Sequence, residues 1–155
     1  MTRQEEGFVH FVSCIRWLNN AWCLLNAIIS AQDSSLIGPA FRFALIEYSK
    51  AYKFSHGTEN RKFILDTSCI PVESMALHTR IINDRDQVHA HSDLTVMEAK
   101  LYIHESNGEH FSSIVQNTIT GVEDLPNINE IRALIEATLV NMYIKEKALE
   151  SELIP

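Results

Sequence analysis

The densest group of chemically active side chains lies in residues 78–93, where two arginines, three histidines and three aspartates occur. Histidine accepts or donates a proton near neutral pH. Arginine keeps its positive charge throughout the physiological range and can stabilise negative charge on phosphoryl oxygens. A neighbouring aspartate can orient either side chain, as the carboxylate of a hydrolase triad does. These residue types together suit proton transfer at an anionic substrate without a metal.

The short motifs of most other enzyme classes are missing from the sequence. It contains no GxGxxG or GxxxxGK[ST] phosphate loop, no GxSxG elbow, no HExxH and no Glu-x-x-His pair. Cys14, Cys23 and Cys69 show no CxxC spacing, and we expect them to be reduced and buried. On a helix, His89 and His91 would point about 200° apart, a poor arrangement for chelation. A metal-binding bundle is therefore the weakest alternative, and we expect neither a metal nor another cofactor.

The charge balance limits how much nucleic acid the chain can bind. Thirteen basic residues against twenty acidic residues give a net charge of −7 with histidine neutral. Each neutralised phosphate needs a lysine or arginine, so a local basic patch can hold one or two phosphates but not a long strand. The apolar stretch from Phe8 to Ile29 contains Arg16 and Asn19, which would be costly in a bilayer. We expect a cytoplasmic protein with no membrane partner.

Segments with helical periodicity must position residues 78–93. The length of the chain fits one domain, 1–155. Apolar residues recur at three- and four-residue steps over 8–29, which predicts a first helix with a wide apolar stripe. The second helix is expected from Pro39, a favourable first-turn residue, to about Ser55. The third is expected over 71–91, and this range places the reactive segment at its C-terminal end.

The last third of the chain predicts a hairpin followed by a fourth helix. Between Leu94 and Val122 the helical period fades, and Asn107-Gly108 is a typical two-residue hairpin turn. The fourth helix is expected from Asn127, with Glu130 completing a capping box, to about Leu149. The pattern predicts an all-α, four-helix up-and-down bundle with a small hairpin or irregular insertion before the last helix.

Arg85, Asp86 and His91 resemble the signature of the HEPN superfamily. That signature is an arginine, a polar residue and then a histidine, and five residues separate Arg85 from His91 here. The context Arg-Asp-x-x-x-Ala-His-Ser-Asp looks like the abortive-infection-associated branch of the superfamily. Residues 43–48 and 142–147 also resemble that branch. The resemblance covers most of the chain, with the hairpin its least diagnostic part.

This resemblance implies a HEPN-like helical domain and a metal-independent ribonuclease, active as a toxin or phage-defence effector. Such enzymes cleave RNA through its own 2′-hydroxyl and leave 2′,3′-cyclic phosphate ends. Arg85 would stabilise the scissile phosphate and His91 would act as general acid or base. Support for these two catalytic residues is expected from Asp86 and His89. Substrate contacts are expected from four further residues: Arg80, His78, Tyr48 and Lys50.

The spacing of the motif also has consequences for assembly. Arg85 and His91 differ by about 120° around a helix and about 9 Å along it, and family members bring two copies of the motif together by dimerising. We therefore expect a homodimer, with RNA as substrate and an antitoxin protein as a further partner. A non-catalytic HEPN-like dimeric module that binds RNA, nucleotides or protein is the alternative, favoured by the acidic net charge. A second arginine and histidine with a similar spacing are Arg3 and His10. The residue after Arg3 is Gln4, which is not one of the polar residues of the signature, so we do not assign this pair to the motif.

Overall fold

The computed structural model of the protein describes residues 1–31, 35–86, 98–117 and 120–153. This part of the chain is mostly helical and contains four helices and two small two-stranded hairpins. The elements are α1 (Arg3–Ser30), α2 (Ile37–Lys50), β1 (Ser55–His56), β2 (Lys62–Phe63), α3 (Met75–Asp84), β3 (Lys100–Ser106), β4 (Glu109–Val115) and α4 (Ile128–Ser151). The four predicted helices are confirmed, and the β1–β2 hairpin is an element that the sequence did not predict.

The long helix α1 begins with a capping box that the sequence analysis did not identify. The Thr2 hydroxyl accepts a hydrogen bond from the Glu5 backbone N–H at 3.2 Å, and the Glu5 carboxylate accepts one from the Thr2 N–H at 2.6 Å. These contacts satisfy two backbone donors that a helix start leaves unpaired. The apolar stripe of α1 recurs every three or four residues and is buried at Phe11, Cys14, Ile15, Leu18, Ala21, Leu25 and Ile28.

Helices α2 and α4 both pack against α1 and close one hydrophobic core. The largest fully buried side chains from α2 and α4 are Tyr48, Phe41, Leu45, Ile131, Leu134, Ile135 and Met142. Cys14 and Cys69 belong to this core, whereas Cys23 is exposed, so the expectation of three buried cysteines is wrong for Cys23. All three thiols are free. In the described ranges, no helix has the length and apolarity needed to cross a membrane.

Helix α2 ends at Lys50 and not near Ser55. The Ala51 carbonyl accepts a hydrogen bond from the Leu65 N–H at 3.0 Å, a contact that ties the end of α2 to a later part of the chain. Ser55 and the residue after it then pair with β2 in an antiparallel register. A tertiary backbone hydrogen bond and a short strand pairing therefore replace the last predicted turn of this helix.

Helix α3 begins four residues later than predicted. Pro71 has extended backbone angles, and Val72–Ser74 form a single tight turn before α3 starts at Met75. The Ser74 N–H donates to the Pro71 carbonyl at 2.9 Å, which closes that turn. The predicted end of this helix, near His91, lies outside the described residues.

Helix α4 begins where expected but without the predicted capping box. Asn127 is the residue before the helix, yet its side chain donates to the Asp124 carboxylate at 2.9 Å and caps no helical N–H. Asn127 has φ −93° and ψ 13° instead of the extended backbone angles typical of a capping residue, and its side-chain oxygen caps none of the first helical N–H groups. The capping-box prediction is wrong, although the helix itself runs from Ile128 to Ser151.

The predicted hairpin before α4 is confirmed as β3 and β4. Asn107 and Gly108 connect the strands with positive φ angles of 55° and 79°, as a type I′ turn requires. Strand pairing runs from Ser106 opposite Glu109 to Lys100 opposite Val115. Both strands are almost entirely exposed to solvent.

Two glycine substitutions near Phe63 are expected to act in opposite directions. A Cβ at Gly57 would lie 2.7 Å from the Phe63 ring and 2.8 Å from the Glu6 carboxylate, whereas one at Gly7 would lie 3.8 Å from that ring. Gly57→Ala should lower the free energy of unfolding by about 1–3 kcal/mol through overpacking. Gly7→Ala, inside α1, should raise it by about 0.5–1 kcal/mol through helix propensity. Urea denaturation of both variants tests this, and equal effects would contradict the predicted steric conflict.

Candidate functional site

The end of α3 carries a cluster of two cations around one carboxylate. Arg85 follows α3 directly and keeps helical backbone angles, so its side chain continues the helix surface. The Arg85 Nη1 donates to the Asp86 Oδ1 at 2.8 Å, and Lys53 Nζ donates to the Asp86 Oδ2 at 2.5 Å. Lys53 lies three residues beyond the end of α2. We call Lys53, Arg85 and Asp86 the basic cluster, since its formal charge is +1.

The electrostatics of the basic cluster favour binding of an anion. Partial burial alone would raise the pKa of Asp86, but hydrogen bonds and charge from Lys53 and Arg85 outweigh it and hold this pKa below its ordinary value. Asp86 is therefore ionised at neutral pH and fixes the position of both cations. The Arg85 side chain is 26% exposed, and its buried Nε has no hydrogen-bond partner among the described residues. Arginine has five N–H donors, so the guanidinium retains donors for a phosphate.

Tyr48 and His78 form a buried contact between α2 and α3. The Tyr48 hydroxyl and the His78 Nδ1 are 2.8 Å apart, and the Tyr52 and His78 rings are 4.5 Å apart between centroids. Tyr48 is fully buried and His78 is 7% exposed. The substrate contact expected of these two residues stays a prediction. Because His78 precedes Arg85 by two helical turns on the same face of α3, the contact between Tyr48 and His78 fixes the face from which Arg85 extends.

Lys50 and Arg80, the other expected substrate contacts, pair with carboxylates other than Asp86. Lys50 forms an ion pair with the nearly buried Glu47 on α2. Arg80 binds both carboxylate oxygens of Asp124, at 3.0 Å and 2.9 Å, before the start of α4. Arg85 lies five positions after Arg80, so the two side chains point about 140° apart around the helix. Lys50 and Arg80 each have a carboxylate partner of their own.

The structure describes one half of the sequence motif. Arg85 and Asp86 are described, whereas His89 and His91 lie outside the described residues. Lys53 is the site residue that sequence reasoning missed. It is 33 positions from Asp86, and no local spacing or periodicity connects two residues so far apart.

Comparisons with known proteins do not identify the chain: no family model, curated protein or solved structure matches it. Within the part of the chain that the structure describes, no group of three histidine, cysteine, aspartate or glutamate side chains is placed to hold a metal ion.

His78 should make the stability of the protein sensitive to acid. Burial lowers the pKa of His78 below its ordinary value of 6.5, so the folded protein binds fewer protons than the unfolded chain. The stabilisation from neutral His78 is complete above pH 6.5 and is lost as the pH falls. In urea denaturation at pH 7.5 and 5.5, His78→Leu should lose less stability on acidification than the wild type. At pH 7.5 it should be about 1–3 kcal/mol less stable, because Tyr48 loses its partner.

Tyr48→Phe is the matched control for this measurement. It removes the same hydrogen bond but keeps His78, so its loss of stability on acidification should match that of the wild type. An identical acid effect in the wild type and His78→Leu would show that His78 is not a source of the acid sensitivity.

Proposed function

We propose that this protein is a metal-independent HEPN-type endoribonuclease that acts in the cytoplasm as a toxin or phage-defence effector. The observation that carries the proposal is the Arg85 guanidinium, which is held by Asp86 beside Lys53 and whose side chain is partly exposed to solvent. A fixed arginine of this kind binds the planar oxygen pair of a phosphate with two parallel hydrogen bonds. The resemblance of Arg85, Asp86 and His91 to the HEPN signature supplies the reaction.

The reaction needs one base, one acid and stabilisation of the phosphoryl oxygens. A base removes the proton of the RNA 2′-hydroxyl, the 2′-oxygen attacks phosphorus, and the bond from phosphorus to the 5′-oxygen breaks as an acid protonates that oxygen. His91 performs one of these proton transfers, with His89 in support. Arg85 stabilises the growing charge on the phosphoryl oxygens, and Lys53 adds a second positive charge. The products are a 2′,3′-cyclic phosphate and a free 5′-hydroxyl.

The assembly that we propose is a homodimer of up-and-down helical bundles with a composite site. Arg85 and His91 are too far apart on a continuous helix to contact the same phosphate oxygen, at about 9 Å along the axis. Two copies related by a two-fold axis bring the arginine of one subunit to the histidine of the other. An antitoxin protein would hold such an enzyme inactive by covering this shared surface.

A non-catalytic RNA-binding or protein-binding dimer is the second candidate function. Two observations favour it: the net charge is −7, and both cations of the basic cluster already share Asp86 as a partner. This candidate predicts binding of RNA or a protein partner without turnover. Cleavage assays separate it from the ribonuclease.

Cleavage of mixed RNA in EDTA tests the ribonuclease proposal directly. The wild type should generate 2′,3′-cyclic phosphate ends without added metal. Arg85→Ala should cleave about 10²–10³-fold more slowly, because it loses a donor that stabilises the transition state. His91→Ala should cleave about 10²–10⁴-fold more slowly, because it loses a general acid or base.

Arg42→Ala, which removes an exposed arginine of α2, is the control for a lost surface arginine, and it should cleave within about twofold of the wild type, the range of a surface change away from the reacting groups. If folded wild type leaves all RNA intact, the non-catalytic candidate is favoured. If it cleaves and Arg85→Ala cleaves equally well, the basic cluster is not the active site.

Mixing the two inactive variants tests the composite dimer site. In a dimer with one Arg85→Ala subunit and one His91→Ala subunit, one of the two sites combines an intact arginine with an intact histidine. Co-expressed variants should therefore recover about a quarter of the wild-type rate, since random pairing makes half of the dimers mixed. Mixed dimers with no activity would place Arg85 and His91 of each site on the same subunit.

A further inference from the structure

An exposed aromatic side chain directly follows the basic cluster along the chain. Phe54 directly follows Lys53 and is 64% exposed, although a phenylalanine ring gains by burial. Lys62, which pairs with His56 across the β1–β2 hairpin, places its Nζ 5.6 Å from the centre of the Phe54 ring. One face of the ring thus carries a cation, and a large part of the ring remains open to solvent.

The same segment leads into a cavity of about 510 Å³ between the first half of α1 and the β1–β2 hairpin. Four rings line it, those of His10, Trp17, His56 and Phe63. The His10 ring lies 6.2 Å from the Trp17 ring at an interplanar angle of 74°, and 5.9 Å from the Phe63 ring at 29°. Ser13 and His56 add polar groups to the wall. We call this space the aromatic cavity, and its volume lies in the range typical of small-molecule sites.

The aromatic cavity and the basic cluster are neighbours along the chain. Ser55 lines the cavity and is two residues from Lys53, so their Cα atoms are at most about 7 Å apart. Ser55 also pairs with Phe63 across the β1–β2 hairpin, so the cavity wall is fixed to this strand. The cluster, the exposed Phe54 ring and the cavity therefore follow one another over a short distance.

This order of groups suits single-stranded RNA. Single-stranded nucleic acids bind to surfaces where cations contact phosphates and aromatic rings stack on the exposed faces of bases. A duplex hides those faces in its own base stack, so the aromatic rings would gain nothing from it. The acidic net charge restricts the contact to a few nucleotides.

We propose that Phe54 and the aromatic cavity bind the bases of single-stranded RNA next to the scissile phosphate at Arg85. Phe54 stacks on one base, Lys62 contacts the adjoining phosphate, and a second, unstacked base enters the cavity beside Trp17. This inference rests on the proposed function, because it assigns the substrate contacts that flank the same site.

Binding of a short 2′-O-methyl single-stranded RNA tests the proposal, since this RNA lacks the 2′-hydroxyl needed for cleavage. Fluorescence anisotropy with the full chain should show Phe54→Ala binding about five- to a hundred-fold more weakly than the wild type, the range for loss of one stacked base. Phe43→Ala is the matched control, because Phe43 is 50% exposed and also has a lysine Nζ, that of Lys50, 5.8 Å from its ring centre. It should bind like the wild type.

Salt dependence and tryptophan fluorescence test the other two contacts. Lys62→Ala should reduce the slope of log affinity against log salt by about 0.7, the value for one phosphate contact on a single strand. Trp22→Phe leaves Trp17 as the sole tryptophan, and the buried Trp22 indole N–H has no hydrogen-bond partner among the described residues to lose. In that variant, RNA should change the Trp17 emission.

Several outcomes would overturn the proposal: no binding of this RNA by the wild type, equal binding by Phe54→Ala and Phe43→Ala, equal competition by duplex RNA, or unchanged Trp17 emission with RNA bound. The cleavage assay with Arg85→Ala distinguishes failure of this proposal from failure of the proposed function. If Arg85→Ala cleaves RNA as fast as the wild type, the proposed active site is wrong. The binding measurements alone test the proposed RNA contacts.

Discussion

Burial of one stripe of α1 between α2 and α4 is the packing constraint on which the rest of the structure depends. The stripe includes Leu18 and Leu25, both fully buried, and α1 is the one helix of the described residues that packs extensively on two others. A 28-residue helix is about 42 Å long, so one rigid rod aligns both partner helices. Polar residues within α1 are tolerated because several return hydrogen bonds to the carbonyl four residues earlier, as Asn26 does to Trp22 at 2.8 Å.

Helix α3 depends on this frame but is held to it by a smaller and more polar contact. The buried Tyr48–His78 hydrogen bond joins α3 to α2, with the Tyr52 ring packed beside it. A buried polar pair is stable only when both partners are satisfied, and it therefore specifies one rotation of α3. That rotation carries Arg85 to the end of α2, where Lys53 lies.

The charges of the molecule are organised locally, although the chain is acidic as a whole. Asp86 holds two cations at the basic cluster. Near the aromatic cavity, Glu6 accepts hydrogen bonds from the Thr58 hydroxyl and backbone N–H, and its pKa is lowered mainly by that hydroxyl. Arg61 forms an ion pair with the other carboxylate oxygen of Glu6. Each carboxylate therefore fixes donors at a defined place, so a chain with net negative charge can still present a small site for an anion.

The sequence by itself determined the four helices, the Asn107-Gly108 hairpin and the adjacent pair Arg85 and Asp86, because periodicity, turn chemistry and neighbouring residues are local properties. It did not determine where α2 ends, since the Ala51 carbonyl is engaged by a distant N–H. Only the tertiary structure brought Lys53 to Asp86 and buried Tyr48 against His78. It also formed the aromatic cavity between α1 and the β1–β2 hairpin, which no sequence pattern indicated. These contacts join residues 30 or more positions apart, and the packing of α2, α3 and the first hairpin around α1 decides which of them meet.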